Sequence, residues 1–138
     1  MRTLGLTCEE IDELLRKYAP AFRETVEHAL ANVEMSKLGD AYLNFLYSLA
    51  ESKRRGKLCS ARISNHILGE ALRRAGLRSA LGSRLSRRDL GGAVEALILA
   101  AIVNGCISSA DVVEALSVDG DVASAVAQLL GRIKERWR

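Results

Sequence analysis

An all-α fold is predicted by three observations on the sequence. No segment shows the Val/Ile/Thr alternation bounded by turn residues that strands need. Glycine punctuates the apolar-periodic stretches, and the single proline, Pro20, sits where a helix is expected to begin. The chain has 138 residues, 49% of them hydrophobic, enough to bury one core without disulfides or structural metal. Residues 1–138 are therefore expected to form one domain, a helical bundle of about seven helices.

Each helix has its own start or stop signal. Thr7 with Glu10 fits a capping box opening a helix over about 8 to 18, and Pro20 opens a second over about 20 to 32. A third runs over about 35 to 55 and ends near Gly56. Ser60 is the expected cap of a fourth, with Ile63, Ile67, Ala71 and Leu72 on its buried face and Gly76 at its end. Ser86 with Asp89 resembles another capping box, opening a central helix that closes at Asn104-Gly105. Ser108 or Ser109 starts a shorter helix to about 117, Asp119-Gly120 makes a turn, and a last helix covers about 121 to 137.

Composition narrows the function. Three widely spaced cysteines with no C-x-x-C pair argue for a reducing compartment and against a zinc site, so a cytoplasmic protein is expected. The most apolar stretch, 93–103, is too short to span a bilayer and carries a Glu, so no membrane association is expected. Charge is segregated: from Ser52 to Arg88 there are eleven basic residues and one acid, Glu70. Such a concentration suits a polyanion, whose phosphates release counterions on contact with Lys and Arg. The competing reading is a set of solvated helix faces.

Two acids stand out. Glu95 interrupts the apolar stretch, and its neighbours one helical turn away are Gly91, Gly92, Ile98 and Leu99, so its charge must be answered by a metal ion, an arginine from another helix, or a proton. Asp40 lies on a polar stripe with Ser36, Lys37, Asn44, Tyr47, Ser48 and Glu51, which taken alone reads as an ordinary solvent-facing edge. Gly91-Gly92 is no phosphate loop, since no strand precedes it; it suits close approach by another helix. Asn65 reads as a semi-buried structural amide, and neither His28 nor His66 has the neighbours of a triad. Tyr42, Phe45 and Tyr47 read as core or dimer-surface residues.

Four segments in order resemble the ribonuclease III family. They are the Leu38-Gly-Asp-Ala41 run, Ala61-Arg-Ile-Ser-Asn65 with its trailing helix to Leu77, Glu95-Ala-Leu-Ile98 followed by Ala100-Ala101, and Asn104-Gly105 with the helix Ser109–Leu116. The resemblance implies a helical endonuclease domain that cuts double-stranded or structured RNA as a homodimer, with carboxylates holding divalent ions. Carried onto this chain, Asp40 and Glu95 would be the catalytic metal ligands, for Mg2+ with Mn2+ as a substitute, and a bound water would be the nucleophile. Arg54, Arg55, Lys57, Arg62, Arg84, Arg87 and Arg88 would grip phosphates across an A-form minor groove. A catalytically silent module of the same fold, binding structured RNA or a ribonucleoprotein, is the alternative.

This chain departs from the family pattern at three positions. The family usually has a Glu four residues before the signature Asp, where this chain has Ser36, and an Asp three residues before the second Glu, where it has Gly92. Asn44 and Asp89 are candidate replacements. An aromatic residue that usually packs into the partner subunit is replaced by Lys37. A reduced carboxylate set without a double-stranded-RNA-binding domain is similar in economy to the mini ribonuclease III proteins, so a stand-alone catalytic domain is expected.

Overall fold

A computed structural model describes residues 8–18, 29–80 and 87–137, the side chains of Cys8, Tyr18, Arg87 and Arg88 excepted. Among these residues there are six α-helices and no strand: α1 (Cys8–Tyr18), α2 (Val33–Arg55), α3 (Asn65–Arg74), α4 (Arg87–Val103), α5 (Ser109–Leu116) and α6 (Val122–Arg136), with a 3₁₀ turn at Arg78–Ala80. The caps expected at Thr7 and Ser86 and most of the helix expected from Pro20 lie outside the described residues; its end is described, with Ala29 and Leu30 helical and buried.

The chemistry of the ends matches the helix limits. Asn32 caps α2 by accepting from the Met35 amide, and Gly56 ends it in the left-handed conformation that glycine adopts without strain. Ser108 caps α5 in a reciprocal box with Asp111. Ser109, the other expected cap, is instead buried and bonds through its hydroxyl to Asp12 of α1 and to Tyr42 of α2. Asp121 caps α6.

One expected boundary is corrected. Helix α3 starts at Asn65 under a Ser64 cap, four residues later than Ser60 would give. The reason is long-range: the Ser52 hydroxyl takes the Cys59 amide and donates back to the Cys59 carbonyl, and the Ser48 hydroxyl does the same for Ala61. The Asn44 side-chain oxygen then accepts from the Ile63 amide. Backbone groups committed to another helix's side chains cannot enter a helix of their own. Residues 57–64 therefore run as an irregular strap along α2.

The core sits around α4. From Ala93 to Val103 every residue is buried, consistent with a helix apolar on all sides. Helix α2 makes the most extensive contact with it, α3 packs on both α4 and α6, and α5 closes the far side against α2. At 100° per residue, α2 then has three faces. Met35, Leu43, Leu46 and Ala50 enter the core, Asp40, Asn44, Ser48 and Ser52 bond to the strap, and Leu38, Phe45 and Leu49 point to solvent.

Candidate active site

Helices α2 and α4 cross at a glycine. A Cβ placed on Gly39 would lie 2.3 Å from the backbone oxygen of Glu95, so the crossing tolerates no side chain there. The adjacent Asp40 is thereby brought against Glu95, and the two carboxyl groups come within hydrogen-bonding contact. Sequence reasoning marked both acids but gave Gly39 no role. A signal was present, since a glycine in the middle of a long helix costs stability unless something needs the space.

A second contact of the same crossing, three residues earlier on each helix, accounts for the missing acids. A Cβ on Gly92 would meet the Ser36 hydroxyl at 2.5 Å, so the two positions where the family usually has carboxylates lie face to face. A small hydroxyl on one helix fills the space left by a missing side chain on the other. Asn65 lies on Gly91 in the same manner, with its side-chain oxygen 2.2 Å from where a Cβ would be. Close approach at Gly91-Gly92 was expected; the semi-buried state expected for Asn65 was not found, because it is exposed at the start of α3.

Electrostatics at the pair are unbalanced. Glu95 is only 5% exposed, while the Asp40 side chain is 46% exposed, so one carboxyl faces protein and the other faces water. Burial, the contact with Asp40 and the negative charge of Asp40 push the Glu95 carboxyl up to about 8, and Arg62 pulls it the other way. Of the three answers open to Glu95, a proton is the one that this rise favours when no cation is bound. Among the described residues, Arg62 bonds to Asp40 instead, Nη2 to Oδ1 at 3.0 Å.

Asn44 is engaged on both sides of its amide. Its amide nitrogen donates to the Asp40 carbonyl and to Asp40 Oδ1 at 2.7 and 2.9 Å, and its oxygen is taken by Ile63. It orients Asp40, and one of the two lone pairs of its oxygen is already taken. No group of three or more His, Cys, Asp or Glu residues suited to a metal occurs among the described residues. Two hard carboxylates, one open to solvent, still suit a Mg2+-type ion, which keeps several waters and commonly takes one or two protein carboxylates plus phosphate oxygens.

The candidate phosphate-binding residues divide. Lys57 is exposed on the strap and Arg62 stands over Asp40. Arg55 is half-exposed with one bond to Glu51. Arg54 donates twice to Glu51 and once to Asp119, 65 residues on, so three of its five N–H donors are engaged within the protein. Arg74 is similarly held by Glu70 and Asp121, and Arg73 by Glu70. The segment from 52 to 88 is thus less available as a polycation than its charge count suggests. Arg84 lies outside the described residues, and the Arg87 and Arg88 side chains are likewise not described. The polar stripe of α2 is also no open edge, since Asn44 and Glu51 are both buried, Asn44 by the strap to which it bonds.

A family model described as Ribonuclease III matches residues 33–137, from the first residue of α2 to the end of α6. The chain belongs to the ribonuclease III family. No curated protein matches it. Membership carries a ribonuclease-type function acting on RNA, on the helical domain expected from the sequence. No helix among the described residues is long and apolar enough to cross a membrane.

Proposed function

We propose that this ribonuclease III domain is a divalent-cation-dependent endoribonuclease for double-stranded or structured RNA, with Asp40 and Glu95 as its catalytic carboxylates. The observation that carries the reading is their convergence from two helices into one contact. Two acids pressed together with one buried are unstable as a pair of anions, and such pairs mark sites where a cation or proton is handled. A bound Mg2+ or Mn2+ would supply the charge that activates water and stabilises the leaving oxygen.

The chain's own groups do the rest. Asn44 fixes the Asp40 carboxylate by two bonds from one turn away, and the Gly39 crossing sets its distance from Glu95. Ser36 against Gly92 leaves no further acid there, which favours one cation over two. Arg55, Lys57 and Arg62 on the adjoining strap would contact phosphates, with Arg84, Arg87 and Arg88 as further candidates, and recognition would be by duplex shape. Arg54 is assigned to holding Glu51.

A homodimer fits the exposed face of α2. Leu38, Phe45 and Leu49 recur at helical spacing and are each more than a third exposed, an apolar line that a second copy would bury. The cytoplasm is the compartment proposed for such an enzyme. The alternative, a silent RNA-binding module, is favoured by one fact: Arg62 already neutralises part of the pair.

A cleavage assay tests the proposal. Asp40→Asn and Glu95→Gln should each lower Mg2+-dependent cutting of duplex RNA by at least ~100-fold while RNA binding persists. Salt-sensitive binding of duplex by the wild-type protein with no cutting in Mg2+ or Mn2+ would reject the enzyme in favour of the silent module.

A further inference from the structure

The position of Arg62 is built. It lies between Ala61, whose amide and carbonyl are both bonded to Ser48, and Ile63, whose amide is bonded to Asn44. The strap thus delivers the guanidinium to Asp40 from a backbone anchored on either side to the helix that carries Asp40. Asn44 serves both ends of this arrangement, holding Ile63 with its oxygen and Asp40 with its nitrogen. Yet the Arg62 side chain is 71% exposed and bonds to the one carboxylate of the pair that faces water. It closes the open side of the site with a positive charge that can swing away into solvent at little cost.

We propose that Arg62 is an internal competitor for the divalent cation: it occupies Asp40 in the cation-free protein, and the metal must displace it to bind. This inference rests on the carboxylate-pair reading above. Asp40 Oδ1 receives bonds from both Arg62 and Asn44, so one of its oxygens is committed until the arginine leaves. A guanidinium and a divalent ion at the same oxygen repel each other, so binding one weakens the other. Once released, Arg62 stands on the strap beside the site with its donors free for a phosphate, and cation entry becomes coupled to RNA engagement.

Opposite effects on two ligands follow. Removing the guanidinium should tighten the cation and loosen the RNA, whereas a purely structural role would weaken both. The test is a titration of the full chain with Mn2+ in the absence of RNA, read by loss of the free-ion electron paramagnetic resonance signal. Arg62→Gln should bind Mn2+ ~3- to 10-fold more tightly than wild type, scaled to an exposed ion pair plus charge repulsion. Asp40→Asn in the Arg62→Gln background should abolish the gain. Equal or weaker Mn2+ binding by Arg62→Gln overturns the proposal and leaves the carboxylate reading intact. A gain that survives Asp40→Asn also overturns it, because the ion then sits elsewhere. No Mn2+ binding by either protein, with both folded by circular dichroism, overturns this inference and the metal reading together.

Discussion

Two glutamates in this molecule are each 5% exposed, and they have opposite fates. Glu51, near the end of α2, meets Arg54 and Arg55 at three and four residues' distance on its own helix. The Arg54 guanidinium holds its carboxyl below the ordinary carboxylate range, against the upward push of burial. Glu95, on α4, meets another acid, and burial together with Asp40 raises its carboxyl to about 8. Burial is the same; the partner differs. A buried acid answered by arginines is a fastener, whereas one set against a second acid invites a ligand. The second arrangement persists only because the surrounding helices force it.

The strongest way to break the comparison is to separate α2 from α4. Gly39→Ala puts a methyl 2.3 Å from the Glu95 carbonyl, a backbone atom that cannot swing aside. A loss of about 3 to 5 kcal/mol in chemical denaturation is expected from overpacking at this crossing. The same change at Gly69, where the nearest atom is a Leu90 side-chain carbon at 3.7 Å, serves as the control. It should be neutral or stabilise by up to about 1 kcal/mol. Equal effects at the two glycines would refute the account of the crossing.

The pH dependence of stability sharpens the comparison next. Glu95 in the folded, cation-free protein keeps a proton that the unfolded chain has lost, from its ordinary value of 4.5 up to about 8. Its contribution is full below that window and is lost as pH rises through it. Glu95→Gln should remove this slope and gain on the order of 3 kcal/mol over wild type above the window, with little difference at pH 4. Glu51 has the reverse sign: its folded value is lowered, so its contribution is present at neutral pH and lost in acid. Glu51→Gln should therefore cost about 2 kcal/mol at neutral pH, the worth of charged hydrogen bonds left unmade. Urea melts of both variants across pH measure this. Parallel profiles would show that the two acids do not differ.

How much of this was legible in the sequence follows the range of the interactions. Glu95 stands out because it interrupts an apolar stretch and Asp40 because family order and spacing place it, while the limits of α5 and α6 follow from caps that are local chemistry. Ser60 and Ser64 are equally good caps in isolation. The choice between them is made by Ser48 and Ser52, which hold Ala61 and Cys59 across 13 and 7 residues. The bond of Arg54 to Asp119 is invisible to local reading, since 65 residues separate the two. Gly39 was read only as part of a motif, since the helix that needs its space arrives 56 residues later in the chain. Local rules fix the helices; the site depends on what meets across them.

The smallest expected effect isolates why Glu51 is settled. Arg54 has two acidic partners, but the Asp119 side chain is 87% exposed while that of Glu51 is 6% exposed. An ion pair with one partner in water is screened and costs side-chain freedom to hold, so Asp119→Asn should change stability by less than about 0.5 kcal/mol. It should leave the acid-side profile of Glu51 unmoved, since Arg54 remains bonded to it through two nitrogens. A loss near that of Glu51→Gln would mean that Asp119 aims the guanidinium. The settled state of Glu51 would then come from tertiary structure, as the unsettled state of Glu95 does, and helical spacing would no longer separate the two acids.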